Sequence, residues 1–474
     1  MANRLTWLQT PAAMIAGVAC LAAASMAISV ETRSPFAAAP LVVVALPAVA
    51  YLARTVDPAA VLTLGVVLTP FAGNWQQLGI PGILAPDRLL IAGTIVLVVL
   101  RAATGRGEPL PRPRLVHFVL ALAVLWAVAS ALVSDTLFQR GPLLKIVEAY
   151  GVFPFLIFYL APVIYNTPRK RQWLLRALVV LGAYLGLTVF FEMAGPNALV
   201  WPKYIIDPNY GIHSGRGRGP FADAVANGFG LYVCALAASV AVSQWRGRAR
   251  IAAGAVAALC FVGTLLTLER SVWTGAAVAT VVTLVSFARL RRVAVPVIVA
   301  GATAVLLALV LVPGLSAKVS SRASDQGPVW DRENTSVAAL NMIAARPLLG
   351  FGWSRFQATS GPYFRQSQNY PLTATTIDLH NYFLSYAVEL GLIGLLIWLA
   401  GLLMGGFGAL SKRAPPELEP WRMAFLAIAV CYLLVANSVP PTVFQNEAFW
   451  LWAGVIWGAR IYSPEGQRRF AEVA

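Results

Sequence analysis

Charge is scarce in this chain, and negative charge is the scarcest. Asp, Glu, Lys and Arg make up 12% of its 474 residues, and 36 basic residues face only 20 acidic ones. With 58% hydrophobic residues and a mean hydropathy of +0.71, such a composition excludes an ordinary soluble protein. Cysteine occurs four times. Cys20, Cys234, Cys260 and Cys431 all fall within apolar runs, so they suit small core residues and supply neither outer disulfides nor a metal site. The chain has no Walker-type loop, no His-Glu-x-x-His and no Gly-x-Ser-x-Gly sequence, which removes the common nucleotide, zinc-protease and serine-hydrolase chemistries. It also lacks the Asp-x-Asp pair that a metal-dependent lipid-linked sugar transferase would place in an outer loop. A metal-free reaction with no cofactor is therefore expected.

What the chain has in quantity is long apolar runs. Runs of roughly 15–25 residues recur from end to end, enough to cross or nearly cross a bilayer. Lipid offers no hydrogen bonds to a bare backbone, so these runs must be helices, and the strict alternation of a membrane barrel is absent. Hydropathy predicts an all-α polytopic membrane protein of about 14 transmembrane helices. The expected limits are 11–30, 36–53, 59–72, 89–103, 115–133, 144–165, 173–192, 224–243, 251–268, 271–288, 293–312, 379–409, 423–439 and 446–462. The N-terminus resembles a signal peptide, but spans follow at once, and an uncleaved first helix is expected. No repeat of clear period and no soluble domain is evident, so residues 1–474 read as one integral membrane domain.

The net charge of +16 invites a nucleic-acid reading, which its distribution contradicts. Basic clusters at Arg101–Arg114, Arg169–Arg171, Arg246–Arg250, Arg289–Arg292 and Lys412–Arg413, with Arg460, Arg468 and Arg469, occupy alternate loops. That is the positive-inside pattern, with contact to anionic membrane lipids as a secondary effect. No nucleic-acid partner is expected. Both termini are then cytoplasmic, and the segments near 134–143, 193–223 and 313–378 face outward. The 313–378 loop is large enough for a small subdomain. Trp330 to Ala345 predicts a helix, with Val337, Leu340 and Ile343 along it and Pro347 stopping it. Such a helix either lies on the membrane, lidding a cavity, or packs on its neighbours. Gly350-Phe-Gly352 predicts a turn or hinge.

Three outward places combine polar groups with apolar helices. In Arg216-Gly-Arg218-Gly-Pro-Phe221, guanidinium groups suit phosphate oxygens and glycines permit a close backbone approach; an exposed basic turn is the alternative. Arg270 sits where two spans meet almost without a loop. A charge at such depth marks function by default, unless Glu269 merely neutralises it. His380 opens a span, where an imidazole can act as a general base near neutral pH. Asp378 either orients it or caps the span, the cap being preferred because residues two apart do not face each other on a helix. Lys145 and Glu148 either line the same cavity or form a self-neutralising i,i+3 pair. His117 reads as structural and His213 as solvated. Two arginines and one histidine support a reaction that expels a diphosphate, the cations neutralising the leaving charge and the base taking a proton from an acceptor hydroxyl.

The order of these pieces resembles the O-antigen ligase and polymerase superfamily over roughly residues 210–410. The resemblance rests on Arg-x-x-Gly-x-Phe at Arg216–Phe221, Thr-x-x-Arg-Ser at Thr267–Ser271, Asn341–Gly352 with Arg346-Pro347, and His380-Asn381 followed by Glu389-x-Gly391. It implies a metal-independent membrane glycosyltransferase of GT-C type in the cytoplasmic (inner) membrane, with its active site on the outer face. The donor it implies is an oligosaccharide on undecaprenyl diphosphate, and the acceptor is a glycan or lipid; polysaccharide assembly proteins are further partners. By motif, Arg216 and Arg270 hold the diphosphate, Arg218 is a second candidate, His380 activates the acceptor, and Asn381 and Glu389 support it, with Asp378 and Lys145 beside them. Two features depart from the family. Ala222-Asp223 stands where Asn-Pro or His-Pro is frequent, and Glu269 precedes the arginine where a small residue is common. A surface polysaccharide polymerase is expected rather than an O-antigen ligase, since nothing marks a lipopolysaccharide core as acceptor. The rival classes are a lipid-linked glycan flippase and a scaffold in an export complex. Flippases distribute cavity charges through two similar halves, whereas here the polar groups collect on one face.

Overall fold

The computed structural model describes residues 55–461, apart from 213, 312–313, 325, 365–377 and 412–414. The expected spans 11–30 and 36–53 lie outside the described residues, as does His213. Every other expected span coincides with a helix. In chain order these are α1 Pro58–Leu68, α2 Pro86–Ala103, α3 Leu115–Val133, α4 Arg140–Ile164, α5 Pro168–Ala194, α6 Ala224–Gln244 and α7 Gly247–Leu266. They continue as α8 Arg270–Ser286, α9 Ala288–Leu311, α10 Leu315–Ser324, α11 Gly327–Ala345, α12 Tyr382–Leu410, α13 Glu419–Ala436 and α14 Val443–Ile461. No strand occurs among the described residues.

Of the twelve expected spans that fall within the described residues, eight are helices long and apolar enough to cross a membrane. The other four differ for physical reasons. Helices α1 and α8 are short, α2 carries Asp87, Arg88 and Arg101, and α14 carries Gln445, Asn446 and Glu447 near its start. Outward-facing leucines and valines, such as Leu125 on α3 and Val295 and Val310 on α9, leave apolar faces that suit lipid rather than water.

Helix direction alternates, and the two ends of the bundle differ in chemistry. At one end Gln172 of α5 binds Gln244 and Trp245 beyond α6. The basic clusters Arg101–Arg114, Arg169–Arg171 and Arg246–Arg250 lie at this end. At the other end Glu192 of α5 meets the 216–219 turn, and the Leu266 carbonyl that ends α7 accepts from Gly217 N–H. Arg270, Asn381 and Asn437 also belong to this second end, at the termini of α8, α12 and α13.

The most constrained feature is a break in α12. Gly391 adopts φ 71° and ψ 175°, so the helical ladder stops and restarts there. A broken ladder in apolar surroundings leaves carbonyls without donors. Here they are taken up from outside the helix. The 350–352 turn donates Phe351 N–H to Val388 O (2.8 Å) and Gly352 N–H to Glu389 O (3.0 Å). Trp126 Nε1 of α3 donates to Leu390 O (2.9 Å), and Leu392 N–H reaches Pro347 O (2.8 Å). Gly350-Phe-Gly352 is thus the turn the sequence predicts, and it stitches the break. A Cβ on Gly391 would lie 2.0 Å from Leu348 O, and one on Gly350 would lie 2.5 Å from Val388 O.

The expected helix in the large loop exists and begins earlier, at Gly327, with Arg346 as its C-cap before Pro347. Val337 and Leu340 are exposed, whereas Asp331, Asn334, Thr335, Ala338, Ala339 and Met342 are buried at helical spacing. Ala339 and Met342 join Phe356, Leu379 and Val388 in a small separate core. This face packs on neighbours, while the exposed Val337 and Leu340 form an apolar stripe on the other side. The polar half of the packed face points the Asp331–Arg332 turn toward the start of α12.

Gly391→Ala combines a left-handed backbone with a clash against Leu348 O, and is expected to destabilise the protein by at least about 1–3 kcal/mol. Thermal unfolding in detergent should show a clearly lowered midpoint. An unchanged midpoint would remove the break from the account.

Candidate functional site

Two of the expected arginines meet at one junction. The 216–221 turn lies across the ends of α5 and α7, and Arg216 forms an ion pair with Glu269, the residue before Arg270. Glu269 and Arg216 are both largely buried, at 4% and 16% side-chain exposure. Glu269, expected as a neutraliser of Arg270, therefore pairs with Arg216. Arg270 opens α8 at the same junction, one residue on.

Arg218 does something different. Its Nε donates to Ile205 O (2.9 Å), and its two terminal nitrogens donate to the carbonyls of Tyr210 and Asp207. Only 2% of the residue is exposed, and Glu192 lies 3.9 Å from Nε. The Glu192 carboxylate also accepts the backbone N–H groups of Arg218 (3.2 Å) and Gly219 (3.0 Å). Asn227 Nδ2 donates to Gly217 O (2.9 Å), and a Cβ on Gly217 would strike Val189 at 2.4 Å. The turn's glycine serves close packing on α5 and α7. Glu192 and Asn227, on α5 and α6, were invisible in the sequence because nothing in an apolar helix tells which polar residue turns inward.

His380 precedes α12 rather than lying inside it, and is half-buried. Asn381, not Asp378, is the N-cap: its Oδ1 accepts Leu384 N–H at 3.0 Å. Asp378 is exposed and accepts from Gln357 Nε2. The His380 Nδ1 is buried without a hydrogen-bond partner. Burial holds this imidazole below the ordinary histidine range, Arg332 pushes the same way, and Asp378 and Asp331 oppose them. Asn381 Nδ2 also donates to Asn437 Oδ1 (2.8 Å), tying the start of α12 to the end of α13. Helix α13 lies along α8, with Gly275 against Cys431 and Val435. Arg270 and His380 therefore occupy the same end of one packed helix set, joined through α13.

Glu389 and Lys145 are brought together, 3.8 Å apart, just before the α12 break. Lys145 also lies over the Trp353 ring, 5.1 Å from its centre. It opens a π-helical stretch, Lys145–Tyr150, an irregularity that periodicity does not announce and that is frequent at functional sites. The alternative i,i+3 pair with Glu148 does not form; Glu148 is ion-paired with Arg88 of α2 instead. Asp87 accepts from Trp75 Nε1 (2.6 Å), and the fully buried Glu447 lies within electrostatic reach of Asp87 and Glu148. This buried acidic neighbourhood also escaped the sequence reading. His117 has the structural role expected, its Nδ1 accepting Arg114 N–H at the start of α3.

Among the described residues no group of three or more His, Cys, Asp or Glu side chains is placed to hold a metal ion. The fold and these groups define a polytopic helical membrane protein with Arg216, Arg218, Glu192, Glu269 and Arg270 gathered at the end opposite its basic loops. Residues 253–399, about a third of the chain, match the family model described as O-Antigen ligase. This match bears out the resemblance to the O-antigen ligase and polymerase superfamily and spans Arg270, the α12 break and His380. No curated protein matches the chain.

Arg218→Met removes three carbonyl anchors and leaves Glu192 buried without its partner, a cost of about 3 kcal/mol or more. Limited proteolysis between 203 and 216 should become much faster in this variant and stay slow in Arg216→Met. Equal resistance in both would contradict the anchoring role.

Proposed function

We propose that the protein is a glycosyltransferase that moves or polymerises an oligosaccharide from an undecaprenyl-diphosphate carrier at the outer face of the cytoplasmic membrane. The observation that supports this most is the junction of Arg216, Glu269 and Arg270 at the same bundle end as His380, whose Nδ1 is uncommitted. In this reading Arg216 and Arg270 hold the diphosphate. The acceptor hydroxyl oxygen bonds to the anomeric carbon as the bond from that carbon to the diphosphate oxygen breaks. The electron pair leaves with undecaprenyl diphosphate, where the two guanidinium groups neutralise it, and His380 takes the hydroxyl proton. Arg218 shapes the loop that presents Arg216. Asn381 fixes the start of α12, with Asp378 beside His380, and the Lys145–Glu389 pair steadies the broken helix beneath. The polymerase is preferred to a ligase because no feature marks a lipopolysaccharide core as acceptor. The alternative of a lipid-linked glycan flippase gains no support from the family match.

Purified protein given only the lipid-linked repeat is expected to yield a ladder of lengthening products. A single product that forms only after a second acceptor is added would indicate a ligase, and no product with either would end the proposal. His380→Ala should lower the rate by about 10²–10⁴-fold, the usual worth of general base catalysis.

The pH profile follows from the direction of the His380 shift. A lowered pKa keeps the imidazole neutral, and so able to accept a proton, to a lower pH than the ordinary value of 6.5. Above pH 6.5 kcat/KM should be level with respect to this group, and it should fall as pH drops through the lowered pKa. The acid limb should vanish in the residual activity of His380→Ala. A limb that survives the substitution unchanged belongs to another group.

A further inference from the structure

The end of the bundle away from this site holds a cavity of its own, of about 440 Å³. It lies between the end of α2, the turn that follows it, the end of α4 and the start of α5. Three cations line it: Arg101, Arg106 and Lys170. Val98, Val163 and Ile164, all buried, complete a lining that is mostly polar. Arg101 is fixed by a hydrogen bond from Nη2 to Val56 O (2.8 Å). Lys170 has Asp57 at 3.5 Å, and Asn166 Nδ2 donates to Glu108 Oε1 at 3.4 Å, while the buried Asn166 Oδ1 has no partner. Against these two carboxylates one positive charge remains in surplus. The N-terminus of the 27-residue α5, whose third residue is Lys170, adds the positive end of its dipole.

We propose that this cavity binds the phosphate of an anionic phospholipid, with Arg106 and Lys170 as its chief phosphate ligands. The cationic rim matches the phosphate, and the cavity opens beside the ends of α2, α4 and α5, where the headgroups of a surrounding bilayer would lie. A zwitterionic headgroup would bring its own ammonium against the three cations. The site is independent of the transferase reading, since it lies at the opposite bundle end and shares no residue with it.

Native mass spectrometry of delipidated full-length protein in detergent tests this, with phosphatidylglycerol, phosphatidylcholine and inorganic phosphate as probes. Wild type should hold one phosphatidylglycerol about tenfold more tightly than phosphatidylcholine, the scale expected of two cations at an anionic headgroup. Arg106→Gln with Lys170→Gln should erase that preference, Arg106→Gln alone should weaken it, and Arg106→Lys should restore it. Arg248→Gln with Arg250→Gln, which removes two charges from the same bundle end outside the cavity, should leave it intact. Equal binding by the first pair and wild type, or equal loss in the second pair, would overturn the proposal. Displacement of phosphatidylglycerol by millimolar inorganic phosphate would overturn the lipid as ligand and assign the cavity to soluble phosphates.

Discussion

Hydrocarbon gives a peptide group nothing to bond with, and the break in α12 is where this protein meets that constraint most sharply. Stopping a helix at Gly391 exposes carbonyls that only protein can satisfy, and Phe351, Gly352 and Trp126 do so. The repair fixes far more than one helix. It pins the 346–352 turn and hence the C-terminal end of α11 to the membrane helices. It also holds Glu389 beside Lys145, on a π-helical stretch of α4. The 346–352 turn and α11 are therefore continuous with the bundle through hydrogen bonds, not merely draped over it.

The same economy governs the charged groups. Buried ions in apolar surroundings need partners, and each of these has one drawn from a different helix: Arg216 with Glu269, Arg218 with Glu192 and three carbonyls, Arg88 with Glu148. Arg218 is held wholly by carbonyls and Glu192, whereas the Arg216–Glu269 pair lies at a helix junction with 16% of the Arg216 side chain exposed. That difference divides two arginines that sit two residues apart in one motif and look equivalent in the sequence.

Hydropathy located nearly every described helix to within a few residues, because apolar length is a local property. It did not show that polar residues of α2 and α14, such as Asp87 and Glu447, are buried against other helices, nor which face of α11 packs. There the exposed Val337 and Leu340 form the conspicuous apolar spacing, while alanines, Asn334 and Thr335 make the contacts. The cap of α12 went to Asn381 instead of Asp378 since the helix starts one turn later than hydropathy alone suggests. Arg216, Arg270 and His380 stood out because charge and histidine are rare here. Glu192, Asn227 and Glu447 did not, since a single polar residue in an apolar run is legible only once its neighbours are known.

The account turns on whether two guanidinium groups grip a diphosphate beside a histidine. A structure of the protein in a lipid nanodisc with an undecaprenyl-diphosphate-linked sugar bound tests this most directly. The expected density has the diphosphate between Arg216 and Arg270, with the anomeric carbon turned toward His380. A diphosphate seated elsewhere, or a sugar facing away from His380, would contradict it.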